Sequence, residues 1–196
     1  MRKISITSFI CALLLTVSLF GAHPLFSRYP KEMEGAVEAI SALPEAKALL
    51  DTVYREGRVE LISEHGYGNF SAFWVGGRRA VCVPDVKRKE QGELIRSILF
   101  ELHNAKANGK LATLDRQVRG GKISRAAFVE GVERIEFQNV QEACALLRRG
   151  VARGIFPKTA LWEMPTQFDE YYLIQQRAGH SAWIGHRYDQ MIAGRT

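Results

Sequence analysis

Apolar residues recur at helical spacing over most of this chain. Residues 89–108 place their apolar side chains on one face of a helix. These side chains are Leu94, Ile95, Ile98, Leu99, Leu102 and Ala105. A second periodic segment follows Ser124, a residue type that favours helix N-caps, and reaches about Val151. The pattern predicts a central helix and a longer second helix.

Shorter helical patterns lie on either side of these two segments. Residues 31–42 are periodic, and Pro44 is suited to begin another helix that reaches about Tyr54. Residues 166–192 predict two C-terminal helices separated near Gly179. We expect the aromatic side chains of this tail to dock its helices onto the rest of the domain.

The run between residues 59 and 83 has strand character instead. Residues 59–62, 71–75 and 79–83 are the predicted strands, and Gly76-Gly77 between the last two is typical of a hairpin. The order of helices, a small antiparallel hairpin or sheet, and then helices predicts an α+β fold that is mostly helical. In this fold the sheet packs with the central helix, the long helix and the C-terminal helices.

Residues 1–22 have the layout of a secretory signal peptide. Arg2 and Lys3 form a basic start, residues 4–20 carry no charge, and Gly21 and Ala22 provide a cleavage zone. The apolar run is short for spanning a bilayer, so an uncleaved anchor is the alternative. We expect residues 23–196 to form a single globular domain that is exported, either periplasmic or secreted, with membrane contact only if the segment is retained.

The charge and the cysteine content limit which classes of partner the protein is expected to bind and whether it can form a disulfide. The formal net charge is +6 with both signs interspersed, which favours solubility and argues against nucleic-acid binding. We expect any partner to be a protein or an envelope component. In an oxidising compartment Cys82 and Cys144 could form a disulfide. Two buried free thiols are the alternative.

Residues 99–105, within the predicted central helix, resemble the active helix of the zincin metallopeptidases. In that family, HExxH places two histidines one turn apart on zinc, and the glutamate between them is the general base. Glu101 matches the general-base position, whereas Phe100 and Asn104 occupy the histidine positions. The resemblance covers residues 58–150 and implies a degenerate zincin-like domain without the usual zinc site. We therefore expect no cofactor, zinc included.

Two glutamates and one histidine are the candidate catalytic residues. Glu101 borders the apolar face of the central helix and Glu136 that of the long helix, so both carboxyls should be partly buried. In one interpretation, amides or arginines (Arg96, Arg134, Arg148) pair with them, because buried charges need partners. In the other, folding brings both glutamates to His180 and forms a site. The same helical pattern turns Glu133 and His103 toward solvent.

No complete catalytic motif is present. The chain has no G-x-S-x-G elbow, phosphate loop, dinucleotide fingerprint or C-x-x-C pair. The interpretation we favour is an exported, non-catalytic zincin-like domain that serves as a binding or accessory protein of the envelope. A hydrolase with a nonstandard site, in which Glu101 is the general acid or base, is one alternative. A secreted effector or toxin-like domain is another.

Overall fold

The computed structural model describes residues 22–64 and 70–194, so the predicted signal segment lies outside the described residues except for Ala22. The predicted α+β fold, mostly helical, is confirmed. The described helices are α1 Glu34–Ala42, α2 Lys47–Arg55, α3 Gln91–Lys106, α4 Asn108–Arg119, α5 Arg125–Ala152, α6 Phe168–Arg177 and α7 His180–Ala193. The described strands are β1 Phe26–Arg28, β2 Val59–Ile62, β3 Phe73–Val75 and β4 Ala80–Cys82.

The four strands form one mixed sheet in the order β1-β2-β4-β3. The predicted hairpin is present, because β3 pairs antiparallel with β4. β1 and β2 add to it in parallel, and the sequence did not predict β1, which is only three residues long. Arg79 adopts a left-handed conformation after the turn, with φ of 48°. Its guanidinium donates to the carbonyls of Val53 and Gly57, which fixes the hairpin to the end of α2.

Helix α3 occupies the centre of the molecule. It packs against α1, α2, the hairpin and α5, and its apolar face is fully enclosed. Gly92 sits against the short turn Lys158–Ala160, where an added Cβ would lie 2.3 Å from Thr159 Oγ1 and 2.5 Å from the backbone nitrogen of Ala160. The absence of a side chain at Gly92 therefore allows the close approach between α3 and this turn.

The sequence did not predict α4, because residues 109–123 contain glycines and few apolar residues. In the structure α4 follows α3 almost directly and packs against α5 and α7. The predicted N-cap is confirmed, because Ser124 Oγ accepts a hydrogen bond from the Ala127 N–H at 3.2 Å. The 28-residue helix α5 then runs along α3.

The tail packs against α4 and α5. Gly179, with φ of 83°, separates α6 from α7, as the sequence predicted. Ile184 is fully buried with Phe128 and Val132 of α5. The aromatic side chains of the tail pack against two core clusters, which confirms their predicted docking role: Tyr172, Trp183 and Tyr188 contribute to one and Tyr171 to the other.

Cys82 and Cys144 are both buried free thiols, so the predicted disulfide alternative does not occur in the structure. Cys82 ends β4 inside the sheet, whereas Cys144 lies on α5 and its Sγ donates to the carbonyl of Trp162 at 3.4 Å. The two sulfurs thus occupy different parts of the core. None of the helices that the structure describes has the length and apolar character needed to cross a membrane.

Candidate functional site

A cavity of about 230 Å³ opens where the segment 70–74 meets α3, α5, α6 and α7. Its walls are largely aromatic, formed by Phe70, Phe73, Trp74, Phe100, Trp162, Tyr171 and Trp183. Its polar lining comprises Ser71, Glu101, Asn104, Glu136, Gln175, His180 and Arg187. The three residues predicted as a candidate catalytic set therefore line one cavity, although they lie on three different helices.

Glu101 is the most enclosed polar group of this cavity, with 3 % of its surface exposed. Its Oε2 accepts a hydrogen bond from Asn104 Nδ2 at 3.0 Å. Burial raises the pKa of Glu101 to about 8; the charge of Glu136 acts in the same direction, and the hydrogen bond from Asn104 opposes it. The proton on this carboxyl is therefore exchangeable near neutral pH.

Asn104 and Asn139 form a buried amide relay behind Glu101. Asn139 Nδ2 donates to Asn104 Oδ1 at 2.8 Å, and Asn104 in turn donates to the carboxyl. Both amides are 6 % exposed. The relay links α5 to α3 and holds the Glu101 carboxyl in one orientation.

Two of the three predicted arginine partners, Arg96 and Arg134, are engaged elsewhere. Arg96 donates to the carbonyls of Thr159 and Leu161, and Arg134 pairs with Glu130. In the part of the chain that the structure describes, Glu101 has no lysine or arginine within ion-pair distance. The amide half of the pairing interpretation holds for Glu101, and the arginine half is wrong.

His180 lies between two glutamates of α5. Its Nδ1 is 3.2 Å from Glu133 Oε1, and its Nε2 is 3.5 Å from Glu136 Oε2. Burial lowers the pKa of His180, but the hydrogen bond to Glu133 and the charges of the glutamates outweigh it, so the net pKa is raised. Burial also raises the pKa of Glu136 to about 7, with the Glu133 charge adding to this and His180 opposing it.

Glu133 is the residue of the site that the sequence analysis missed. It was expected to face solvent, yet it is fully buried, because α7 covers that side of α5. Ser181 Oγ donates to its Oε1 at 2.6 Å, the same atom that faces His180. Its Oε2 is buried without a hydrogen-bond partner among the described residues. The i, i+3 spacing of Glu133 and Glu136 was the available signal, since it places both on one side of a helix.

The prediction that His103 is exposed is also wrong. Its surface is 3 % exposed, and its Nδ1 lies 3.1 Å from Glu142 Oε2 of α5. Burial lowers the pKa of His103 to about 4 against the opposing charge of Glu142, so the imidazole is neutral at physiological pH. His103 does not line the cavity and has no part in the candidate site.

The two positions that correspond to zincin histidines serve packing and hydrogen bonding. The Phe100 ring meets Trp162 edge to face, with centroids 5.5 Å apart. Asn104 is occupied by its bonds to Glu101 and Asn139. The zincin-like resemblance remains a prediction, and α3 offers Glu101 alone as a chemically reactive carboxyl in the cavity.

Aromatic contacts fix the His180 side of the cavity. Phe70 meets both His180 and Trp183 edge to face, with centroids 5.5 and 5.0 Å apart. The Trp74 indole N–H donates to Asn108 Oδ1 at 3.1 Å. Arg187 forms an ion pair with Asp115, with 2.6 Å between Nη2 and Oδ1.

The arrangement has the components of a proton-transfer site. It combines a carboxyl whose pKa is near neutral, a second carboxyl and an imidazole in one largely apolar cavity. Such groups are effective general acids and bases when their pKa lies near the working pH.

Comparison of this chain with protein-family models, with curated proteins and with solved structures gave no match.

Proposed function

We propose that this protein is a hydrolase whose active site is the cavity between α3, α5 and α7, with Glu101 as its general acid–base. The observation that carries the proposal is that the Glu101 carboxyl, buried and oriented by Asn104, lines the same cavity as Glu136 and His180. Among the described residues no lysine or arginine lies within ion-pair distance of Glu101, so its carboxyl is not held in a permanent ion pair.

The carboxyl of Glu101 is suited to exchange protons during hydrolysis. Its pKa of about 8 lets it hold a proton at neutral pH and pass that proton to the leaving group as the scissile bond breaks. The attacking water forms the new bond to the substrate and gives its own proton to a second group that lines the cavity and acts as the base. Glu136, with His180 beside it, is the group available for that step.

The cavity shape limits what can enter it. A volume of about 230 Å³ is smaller than the pockets that enclose drug-sized ligands. The walls are apolar and aromatic, whereas the reactive groups are polar and few. We therefore expect one ring or one side chain of a larger substrate to enter, with the rest of the substrate outside.

The predicted signal segment bears on where this activity operates. With residues 1–22 removed on export, the hydrolase acts in the periplasm or outside the cell. Its substrates are then envelope or extracellular molecules. The non-catalytic accessory domain favoured by the sequence is the competing proposal.

Glu101→Gln tests the proposal directly. The purified mature protein is assayed on panels of chromogenic esters, glycosides, peptides and phosphate esters. Because general acid–base catalysis contributes about 10²–10⁴-fold, Glu101→Gln should lower kcat/KM by at least about 100-fold. Glu93→Gln, on the same helix with its side chain 41 % exposed, should stay within about twofold.

Two outcomes would contradict the proposal. Full activity of a folded Glu101→Gln protein would remove Glu101 from the chemistry. Absence of hydrolysis across the whole panel would favour the binding or accessory protein. Circular dichroism of each variant establishes that the fold is intact before rates are compared.

A further inference from the structure

The imidazole of His180 is held by glutamates at both of its nitrogens, and the two glutamates have different surroundings. Glu133 is fully buried and does not line the cavity, whereas Glu136 lines it. A carboxylate oxygen only accepts hydrogen bonds, so Nδ1 carries the proton that it shares with Glu133 Oε1 at 3.2 Å. Neutral His180 then has its free lone pair on Nε2, on the side of Glu136.

This arrangement is the one that metal-binding histidines require. A histidine that binds a metal through one nitrogen usually donates its other N–H to a carboxylate, which fixes the tautomer and the ring orientation. Ser181 Oγ donates to the same Glu133 oxygen at 2.6 Å and keeps that carboxylate in place. Glu133 thus has the position and the contacts of an orienting residue.

The spacing of the two remaining donor atoms fits a shared ion. His180 Nε2 and Glu136 Oε2 are 3.5 Å apart, which is long for a hydrogen bond. Two donors bound to one zinc ion at about 2.0–2.1 Å in tetrahedral geometry lie roughly 3.3 Å apart. Donor atoms of Glu133, Glu136 and His180 all fall within 4.8 Å of one another.

A second observation points to a cation independently of this spacing. Glu133 Oε2 is buried and has no hydrogen-bond partner among the described residues, which is costly for a carboxylate. Arg187, the cationic side chain that lines the cavity, is paired with Asp115. Two glutamates of α5 thus lie against one imidazole, and among the described residues neither has a lysine or arginine within ion-pair distance.

We propose that Glu136 and His180 bind one divalent cation at the cavity wall, with Glu133 as the positioning residue of His180. One imidazole and a carboxylate form a donor set that suits Zn²⁺, Mn²⁺ or Fe²⁺ better than Ca²⁺, which takes oxygen ligands. This is not the zincin arrangement, since positions 100 and 104 contribute no donor. It differs from the expectation of no cofactor, which rested on the missing histidines at positions 100 and 104.

With the ion bound, Glu136 would act as a ligand instead of as the base. The ion would polarise a substrate oxygen or lower the pKa of a bound water in the cavity, which deepens the proposed hydrolase. The binding proposal itself does not depend on any activity. Two coordination positions come from the protein, and the others face the cavity, where water or substrate can occupy them.

Metal titration of the tag-free protein tests the proposal. Chelator-treated protein is titrated with ZnCl₂ and with MnCl₂ by calorimetry, with MgCl₂ and CaCl₂ for comparison. We expect one Zn²⁺ per chain with saturable binding. Glu136→Gln and His180→Ala should each weaken binding at least about tenfold, and Glu133→Gln about 10–100-fold.

Matched controls are available on the same helices. His186→Ala, exposed on α7, and Glu130→Gln, exposed on α5, should bind Zn²⁺ within about twofold of the unmodified protein. If His180→Ala fails to fold, Glu136→Gln decides, because it removes a buried charge while keeping the side-chain shape. Glu101→Gln should retain Zn²⁺ binding within about tenfold, so this proposal and the hydrolase proposal fail separately.

The results that would overturn the metal site are equally specific. One is the absence of saturable Zn²⁺ or Mn²⁺ binding up to millimolar concentration. Another is folded Glu136→Gln and His180→Ala proteins that bind as tightly as the unmodified protein. Loss of binding in His186→Ala would assign the ion to the surface of α7 instead.

Discussion

At the scale of single residues, Glu101 combines a chemical role with a cost in stability. Its pKa of about 8 in the folded protein is well above the value of 4.5 for a solvated glutamate. The folded state therefore holds the proton that the unfolded state has released over the intervening pH range. Ionising the folded carboxyl above that range costs about 1.4 kcal/mol for each unit of pKa shift.

This linkage predicts how Glu101→Gln changes stability with pH. The contribution of the protonated carboxyl is complete below about pH 4.5 and is lost as pH rises to about 8. Glutamine keeps an acceptor for Asn104 and has no charge to bury. In chelator-treated protein, the variant should gain stability over the unmodified protein by several kcal/mol near pH 8–9, while losing activity.

Urea unfolding between about pH 5 and pH 9 measures the effect. Glu136, with a pKa of about 7, titrates in the same direction, so some pH dependence should remain in the variant. Glu93→Gln should keep the slope of the unmodified protein. A Glu101→Gln protein that is destabilised at every pH would show that Glu101 is a structural residue.

The sequence predicted the burial of Glu101 and Glu136 correctly and that of Glu133 wrongly. The same physical reason explains the success and the failure. Helical periodicity orders side chains around a single helix, and it placed both glutamates at the edge of an apolar face. It cannot show which further helix covers the remaining sides. Helix α7 covers the Glu133 side of α5, and Glu142 of α5 faces His103, so both residues predicted to be exposed are buried.

At the scale of elements, the long periodic helices and the hairpin were predictable, whereas α4 and β1 were not. Val118 is the one fully buried side chain of α4, so its apolar signal is weak, and Gly109 falls in its first turn. β1 has three residues and gains its strand conformation by pairing with β2. Both elements depend on contacts with parts of the chain that are distant in sequence.

The approach of α3 to the Lys158–Ala160 turn gives a prediction at this scale. A Cβ at Gly92 would lie within 2.6 Å of three atoms of residues 159 and 160, two of them backbone atoms, so Gly92→Ala forces α3 away from the turn. Overpacking of this kind costs about 1–3 kcal/mol. Thermal and urea unfolding should show this loss of stability.

Gly109→Ala is the matched control. Gly109 lies on α4 with nothing within 4 Å of an added Cβ, so alanine should be neutral or stabilise the protein by up to about 1 kcal/mol. Equal stability of Gly92→Ala and the unmodified protein would mean that α3 and the turn are less closely packed than the structure indicates.

At the scale of the whole molecule, the candidate site is a product of tertiary packing. Glu101, Glu136 and His180 come from α3, α5 and α7, and no two of them are closer than 35 positions in sequence. Docking of α7 rests on Ile184 in the core and on the Arg187–Asp115 and Arg125–Asp189 ion pairs. No local motif could have revealed the set, because its members meet only when the tail packs.

The aromatic walls of the cavity have an optical consequence. The chain has three tryptophans, and Trp74, Trp162 and Trp183 all line the cavity. The tryptophan fluorescence of this protein, excited selectively at about 295 nm, therefore originates entirely at the candidate site. A substrate bound to the inactive Glu101→Gln protein should change the emission intensity or wavelength as it saturates. If a substrate that the unmodified protein hydrolyses leaves the emission of the Glu101→Gln protein unchanged, the chemistry takes place elsewhere. The three tryptophans thus report whether the cavity is occupied.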